Sequence, residues 1–187
     1  MRRAGMIALA LLAALAASPL RATTALERST NEMIQEAQLI LTGRCTHVES
    51  RWVGRDLVTL ATIAVSESLK GQAGSEVTVV IPGGVDSRRA IPIAMTFPAA
   101  PSIQLRENVL LFLTPEDQVA GGFAIVGFSQ GKFTLAPETS GKSLASQNLT
   151  GLSLISRKGA VSPGMAKSIS IPELRQQIHA MAGTNER

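Results

Sequence analysis

The stretch LVTLATIAVSESLKG, residues 57–71, alternates residue by residue: Ala61, Ile63, Val65 and Leu69 share one side, and Thr62, Ala64, Ser66 and Lys70 share the other. A period of two is what a half-buried strand requires, because successive side chains point to opposite faces. A second run precedes it. QLILTGRCTHVESRW places Leu39, Leu41 and Cys45 on one face, and VGRD makes the turn between the two. GSEVTVVIPGG follows with a third strand over 77–81, stopped by Pro82. Three strands joined in order by short connections form a meander. Gly43 stands mid-strand, where glycine marks a bulge or sharp bend. Gly83 and Gly84 allow the backbone an abrupt exit from the third strand.

The remainder fills out a mainly β chain. Ser29 with Glu32 three residues later is a capping box, opening a short helix that carries Met33, Ile34 and Ala37. Residues 86–106 hold Pro92, Pro98 and Pro101 with little periodicity, so they form a long loop with at most a brief strand. NVLLFLTP is a wholly apolar strand buried on both faces. GGFAIVGF and GKFTLAP form a last hairpin around SQG, which places Gly131 in its turn. Residues 139–170 are rich in Ser, Gly and Lys, with LTGLSLIS an extra strand at most. A terminal helix over 171–182 starts at Pro172, aligns Ile171, Leu174, Ile178 and Met181, and stops at Gly183. Five or six strands, bent early and flanked by two helices, predict a small OB-like barrel, with a sandwich as the alternative.

The chain opens with Arg2 and Arg3, an uncharged run over 6–17, the break at Pro19 and small residues after it. That is the layout of a secretory signal peptide spanning 1–22. The run is shorter than the roughly 20 residues a membrane span needs. Residues 23–187 are then one exported domain, periplasmic or extracellular, with no membrane span after cleavage. The formal charge of +4 includes Arg2, Arg3 and Arg21; without those three it is +1. A near-neutral domain with no Tyr offers neither an electrostatic footprint nor a stacking platform for nucleic acid. One cysteine makes an intramolecular disulfide impossible.

Reactive constellations are weak. Cys45 occupies an inward position that a small hydrophobe would serve. His47, two residues on, would share its face, but a catalytic pair also needs a third orienting group. His47 and His179 are the only histidines and stand far apart, so no metal site and no cofactor is expected. Glu116 and Asp117 are solvated turn charges. GFSQG lacks the strand-to-helix context of a nucleophile elbow, and PGG lacks the rest of a phosphate loop. Asn148-Leu149-Thr150 is a formal glycosylation sequon. The remaining candidates are surface groups that bind: Arg88 and Arg89 in the long loop, Trp52 near the first turn, and Gln130 and Lys132 at the last hairpin.

Taken together, AQLILTGRC, TIAVSESLKG, VTVVIPGG, ENVLLFL and GFSQGKF resemble a family of secreted bacterial proteins of uncharacterised function with a PGG…VLLFL…QGKF pattern, over about residues 26–135. The layout is also weakly similar to the OB-fold of tissue inhibitors of metalloproteinases and netrin-like modules. That resemblance implies a barrel and a binding role. Those inhibitors chelate zinc through an N-terminal cysteine, whereas here the mature chain would begin Thr23-Thr24, so only the scaffold carries over. The sequence therefore predicts a non-enzymatic exported module whose partner is another envelope or secreted protein, a zinc protease among the options. A structural module of a surface assembly is the alternative, and a hydrolase with a loop-borne site is the third.

Overall fold

The computed structural model describes residues 23–136 and 143–182. The segment 1–22 expected to be a signal peptide, residues 139–142 of the Ser/Gly-rich stretch and the helix stop at Gly183 lie outside the described residues.

The described chain is mainly β. It begins with β1 (Thr23–Leu26) and α1 (Thr30–Glu36). The capping box forms as the sequence predicts: Glu32 N donates to Ser29 Oγ at 3.2 Å, and Ser29 N donates to Glu32 Oε2 at 2.8 Å. The far end of α1 is closed from outside. Lys70 Nζ donates to the carbonyls of Ile34 and Ala37, each at 2.6 Å, satisfying acceptors that a helix end leaves open. Burial lowers the Lys70 pKa from its ordinary value.

β2 (Leu39–Val53), β3 (Asp56–Lys70) and β4 (Glu76–Pro82) form the expected antiparallel meander. β2 slips register against β3 between Ile40 and Leu41, between Thr42 and Gly43, and between Cys45 and His47. Gly43 sits where the backbones touch: a Cβ there would lie 2.5 Å from the Ala64 carbonyl oxygen. β5 (Gly84–Asp86) and β6 (Ile93–Met95) then pair as a small hairpin, so the long loop does hold a brief strand.

β7 (Asn108–Glu116) runs beside β2 and is buried on both faces, as its unbroken apolar run predicts. Val109, Leu111 and Leu113 face one core with Leu41, Cys45, Ile63 and Val79. Leu110 and Phe112 face a second core with Met33 and Ile34 of α1 and Leu174 and Ile178 of α2 (Ile171–Ala182). Fully burying a side chain such as Phe112 contributes about 1.5–3 kcal/mol. The two helices therefore lie together against one face of the strands, and the predicted face of the terminal helix is the one that packs.

Two expectations are corrected. The strands β8 (Gly122–Ile125) and β9 (Lys132–Leu135) do not form a hairpin with each other. β8 pairs with the end of β7 at Leu113–Glu116, and β9 pairs with its start at Val109–Leu111. Both need the same hydrogen-bonding edge of β7, so the SQG turn carries the chain along that edge rather than back on itself. Val126 N donates to Phe112 O and Phe112 N donates to Gly131 O as it does so. Gly131 permits this, because a Cβ there would stand 2.7 Å from Val126 O.

The strand count is also larger than five or six. The Ser/Gly-rich region contains β10 (Leu144–Asn148), β11 (Leu152–Ile155), β12 (Val161–Pro163) and β13 (Ala166–Ser170). β10 joins β9 to β13 in the main sheet, and β11 lies between β12 and β1, which pairs with it in parallel. Within the main sheet the pairings β2–β3, β3–β4, β4–β8, β8–β7 and β7–β2 return to their starting strand, and only β4–β8 is parallel.

Candidate functional site

Gly83 and Gly84 let β4 turn sharply into β5. Gly83 has φ of 92°, in the region that favours glycine, and a Cβ on Gly84 would lie 2.6 Å from Ser50 Oγ. This close passage over β2 delivers Asp86 to Trp52. Trp52 Nε1 donates to Asp86 Oδ2 at 2.8 Å. Arg88 N donates to Oδ1 at 3.2 Å, Arg88 Nε to Oδ1 at 3.3 Å, and Arg89 Nε to Oδ2 at 3.3 Å. The Arg89 guanidinium also lies over the Trp52 ring, 5.6 Å from its centroid, a cation–π contact.

Asp86 is 5% exposed, so its charge stands only because it is surrounded by donors. The Trp52 indole N–H first, and then Arg88 and Arg89, hold its carboxyl down to about 2 from an ordinary 3.8, against the opposing pull of burial. A carboxylate held so low is a poor general base near neutral pH. What it does well is orient. Each arginine spends its Nε on Asp86, and its side chain stays open to solvent, 72% exposed for Arg88 and 58% for Arg89. Two planar, multi-donor groups are thus fixed at the root and free at the tip.

Trp52, Arg88 and Arg89, singled out in the sequence, are therefore brought together; Gln130 and Lys132 are not with them. Gln130 was expected at the surface and is buried instead. Its Oε1 accepts from Arg28 N at 2.8 Å and its Nε2 donates to Leu26 O at 2.9 Å, which ties β1 to the turn after β8. Lys132 pairs with Glu107 at 2.7 Å and donates to Ser102 O at 2.5 Å. Burial works against the charge of Glu107, but its bonds from Lys132 and Thr134 outweigh that and leave its pKa below the ordinary value. Asp86 itself is the residue that sequence reasoning missed. The only signal was its position after VIPGGV, since an acid beside two arginines in a loop ordinarily reads as a solvated charge.

Cys45 is buried as expected, and burial pushes its thiol pKa up. His47 does not share its face. The register slip at Thr46 inserts one residue, so Cys45 opposes Ile63 and His47 opposes Thr62, and the imidazole points outward near Glu49 at 3.8 Å. Among the described residues no three His, Cys, Asp or Glu side chains gather as a metal ligand set. No helix among them is long and apolar enough to cross a membrane. Glu116, expected in a turn, ends β7, and Thr150 N donates to Asn148 Oδ1 at 3.0 Å, making a local turn at the sequon.

The segment over residues 84–106 also exposes apolar side chains along its length. Val85, Ile91, Phe97 and Leu105 are all exposed, half of the large exposed apolar residues in the described chain. Its inner end is pinned: Ser129 Oγ donates to the carbonyl of Ala99, and Lys132 holds Ser102. Beside it opens a groove of about 370 Å³ lined by Val58, Val80, Pro82, Phe97, Ile125 and Phe128, with Asp56 and Glu116 also in its wall.

In comparisons with known proteins, no protein-family model matches this chain and no curated protein matches it.

Proposed function

We propose that this chain is an exported, non-enzymatic binding module, an OB-like barrel that presents residues 84–106 and Trp52 to a protein partner in the envelope or the medium. The scaffold reading is supported by the cyclic order of pairings through β2, β3, β4, β8 and β7, with one parallel contact, and by the bulges that bend β2. The observation that carries the binding reading is the Trp52–Asp86–Arg88–Arg89 cluster, with the exposed Val85 next to Asp86 in sequence. Oriented cations beside an aromatic ring suit a partner surface that carries carboxylates. Asp86 lowers the rotamer freedom that the arginines lose on binding, which favours affinity.

A zinc protease is one partner class to test. The device by which metalloproteinase inhibitors chelate zinc has no counterpart here, so any inhibition would arise by occlusion. The experiment compares the mature chain with Arg88→Ala/Arg89→Ala and with Arg88→Lys/Arg89→Lys. Immobilised protein is challenged with envelope extract, and bound proteins are identified by mass spectrometry beside a zinc-protease inhibition assay. The lysine variant retains charge but loses the planar fork, so an intermediate affinity is expected. Equal capture by all three chains would refute the role given to the arginines. Capture without inhibition would favour a structural module of an assembly.

A further inference from the structure

β4 and β8 are paired over two residues only, Thr78↔Gly122 and Val79↔Phe123. Beyond that point the strands part, and the residues that follow, Val80 and Pro82 on one strand and Ala124 and Ile125 on the other, line the apolar groove. Phe97 and Phe128 also line it. Phe128 has φ of 66°, a left-handed conformation that a bulky residue rarely adopts. Strained backbone of this kind persists where the surroundings enforce it and gathers at binding sites. The next residue, Ser129, donates to the carbonyl of Ala99, itself at φ of 59°.

The charge around the groove has one sign. Asp56 and Glu116 line it, and neither makes an ion pair among the described residues; the only bond to the Glu116 carboxylate is from Gln118 N at 3.1 Å. Arg55, next to Asp56 in sequence, pairs with neither. Of the other described acids, Glu32, Glu36, Glu67, Asp86 and Glu107 each have a basic partner within 4.0 Å, whereas Glu27, Glu76, Asp117 and Glu173 make no ion pair among the described residues; Asp56 and Glu116 differ from these four in lining the apolar groove.

We infer that this groove takes an extended basic–apolar peptide segment, seating one large apolar side chain between β4 and β8 and placing a flanking lysine or arginine against Asp56 or Glu116. The volume is at the small end of ligand sites, the size for one side chain and its neighbours rather than a cofactor. Parted strand ends beside it offer backbone to an added strand, the mode in which main-chain bonds give affinity and a pocket gives specificity. This inference rests on the protein-binding reading above but not on the arginine pair, which lies outside the groove.

The test is fluorescence anisotropy with dye-labelled, N-acetylated peptides on the full mature chain. The probes alternate lysine with leucine, lysine with serine, or glutamate with leucine. The lysine–leucine peptide is expected to bind, with each of the other two at least about tenfold weaker, a difference of one decade in Kd. Added salt should weaken it, because its charge contacts are near the surface. Ala124→Trp fills the groove and should abolish binding. Asp56→Asn/Glu116→Gln, at one exposed and one half-buried residue, should weaken it about two- to fivefold, as for ion pairs near the surface. Arg88→Ala/Arg89→Ala should leave it within twofold, which separates failure of this inference from failure of the arginine reading. No binding of the lysine–leucine peptide, equal binding of the glutamate–leucine peptide, or binding unchanged in both groove variants would each overturn the proposal.

Discussion

Trp52 Nε1 donates to Asp86 Oδ2 at 2.8 Å across 34 residues of chain, joining the end of β2 to the end of β5. Trp52 is the only tryptophan, so this bond is both a structural tie and a reporter.

The first prediction concerns acid. Asp86 has its pKa lowered in the fold to about 2, chiefly by the Trp52 indole, from an ordinary 3.8. A depressed carboxylate stabilises the fold above its unfolded value and loses that contribution as pH falls through the folded one. The loss therefore runs from about pH 4 down to about pH 2. Tryptophan fluorescence of the native protein should show a transition near the lower end of that window. Asp86→Asn should lower the melting temperature at neutral pH, and the gap to the native chain should close below pH 2. A gap that stays constant through that range would contradict the assignment.

Cys45 is 1% exposed and its thiol pKa is raised by burial, so the thiolate is scarce. A thiol reagent should react slowly with folded protein and rapidly in denaturant. Cys45→Val should fold normally with a change below about 1.5 kcal/mol, whereas Cys45→Arg buries an unpaired charge and should not fold. Fast native labelling would be the contrary result.

Gly43→Ala should destabilise the chain by about 1–3 kcal/mol, the usual range for overpacking. The added methyl meets the Ala64 carbonyl oxygen at 2.5 Å and Ile63 Cγ2 at 2.6 Å, so backbone must move. Denaturant melts read the difference. Gly54→Ala is a control for conformation without crowding: a Cβ there meets nothing within 4 Å, but φ is 59°, so its loss should come from strain alone.

Gln130→Ala should cost about 1–3 kcal/mol, because it leaves the Arg28 N–H and Leu26 carbonyl without their partner. Hydrogen exchange should rise first in β1 and its neighbour β11. Partner capture should hold at temperatures where the variant is folded. Weakened capture with unchanged stability would return Gln130 to the binding surface.

The local pattern of the sequence determined much of this architecture. Alternation over 57–71, the turn at Val53 to Asp56, the Ser29–Glu32 capping box, the doubly buried run of β7 and the apolar face of the terminal helix are all properties of neighbouring residues, and the structure keeps them. Tertiary structure alone decided the rest. β8 and β9 contend for one edge of β7, so the expected hairpin gives way to two successive pairings. The strands β10 to β13 have weak alternation of their own and gain order from pairing with β9, β1 and one another. One inserted residue at Thr46 turns His47 outward, which a strict period of two does not anticipate. Asp86 became the centre of the candidate site because β5 crosses Ser50 and reaches Trp52, and Gln130 became a buried tie because β1 lies against its turn. In each case the outcome depends on which backbone edge and which donor arrive from residues distant in sequence, and periodicity carries no information about that arrival.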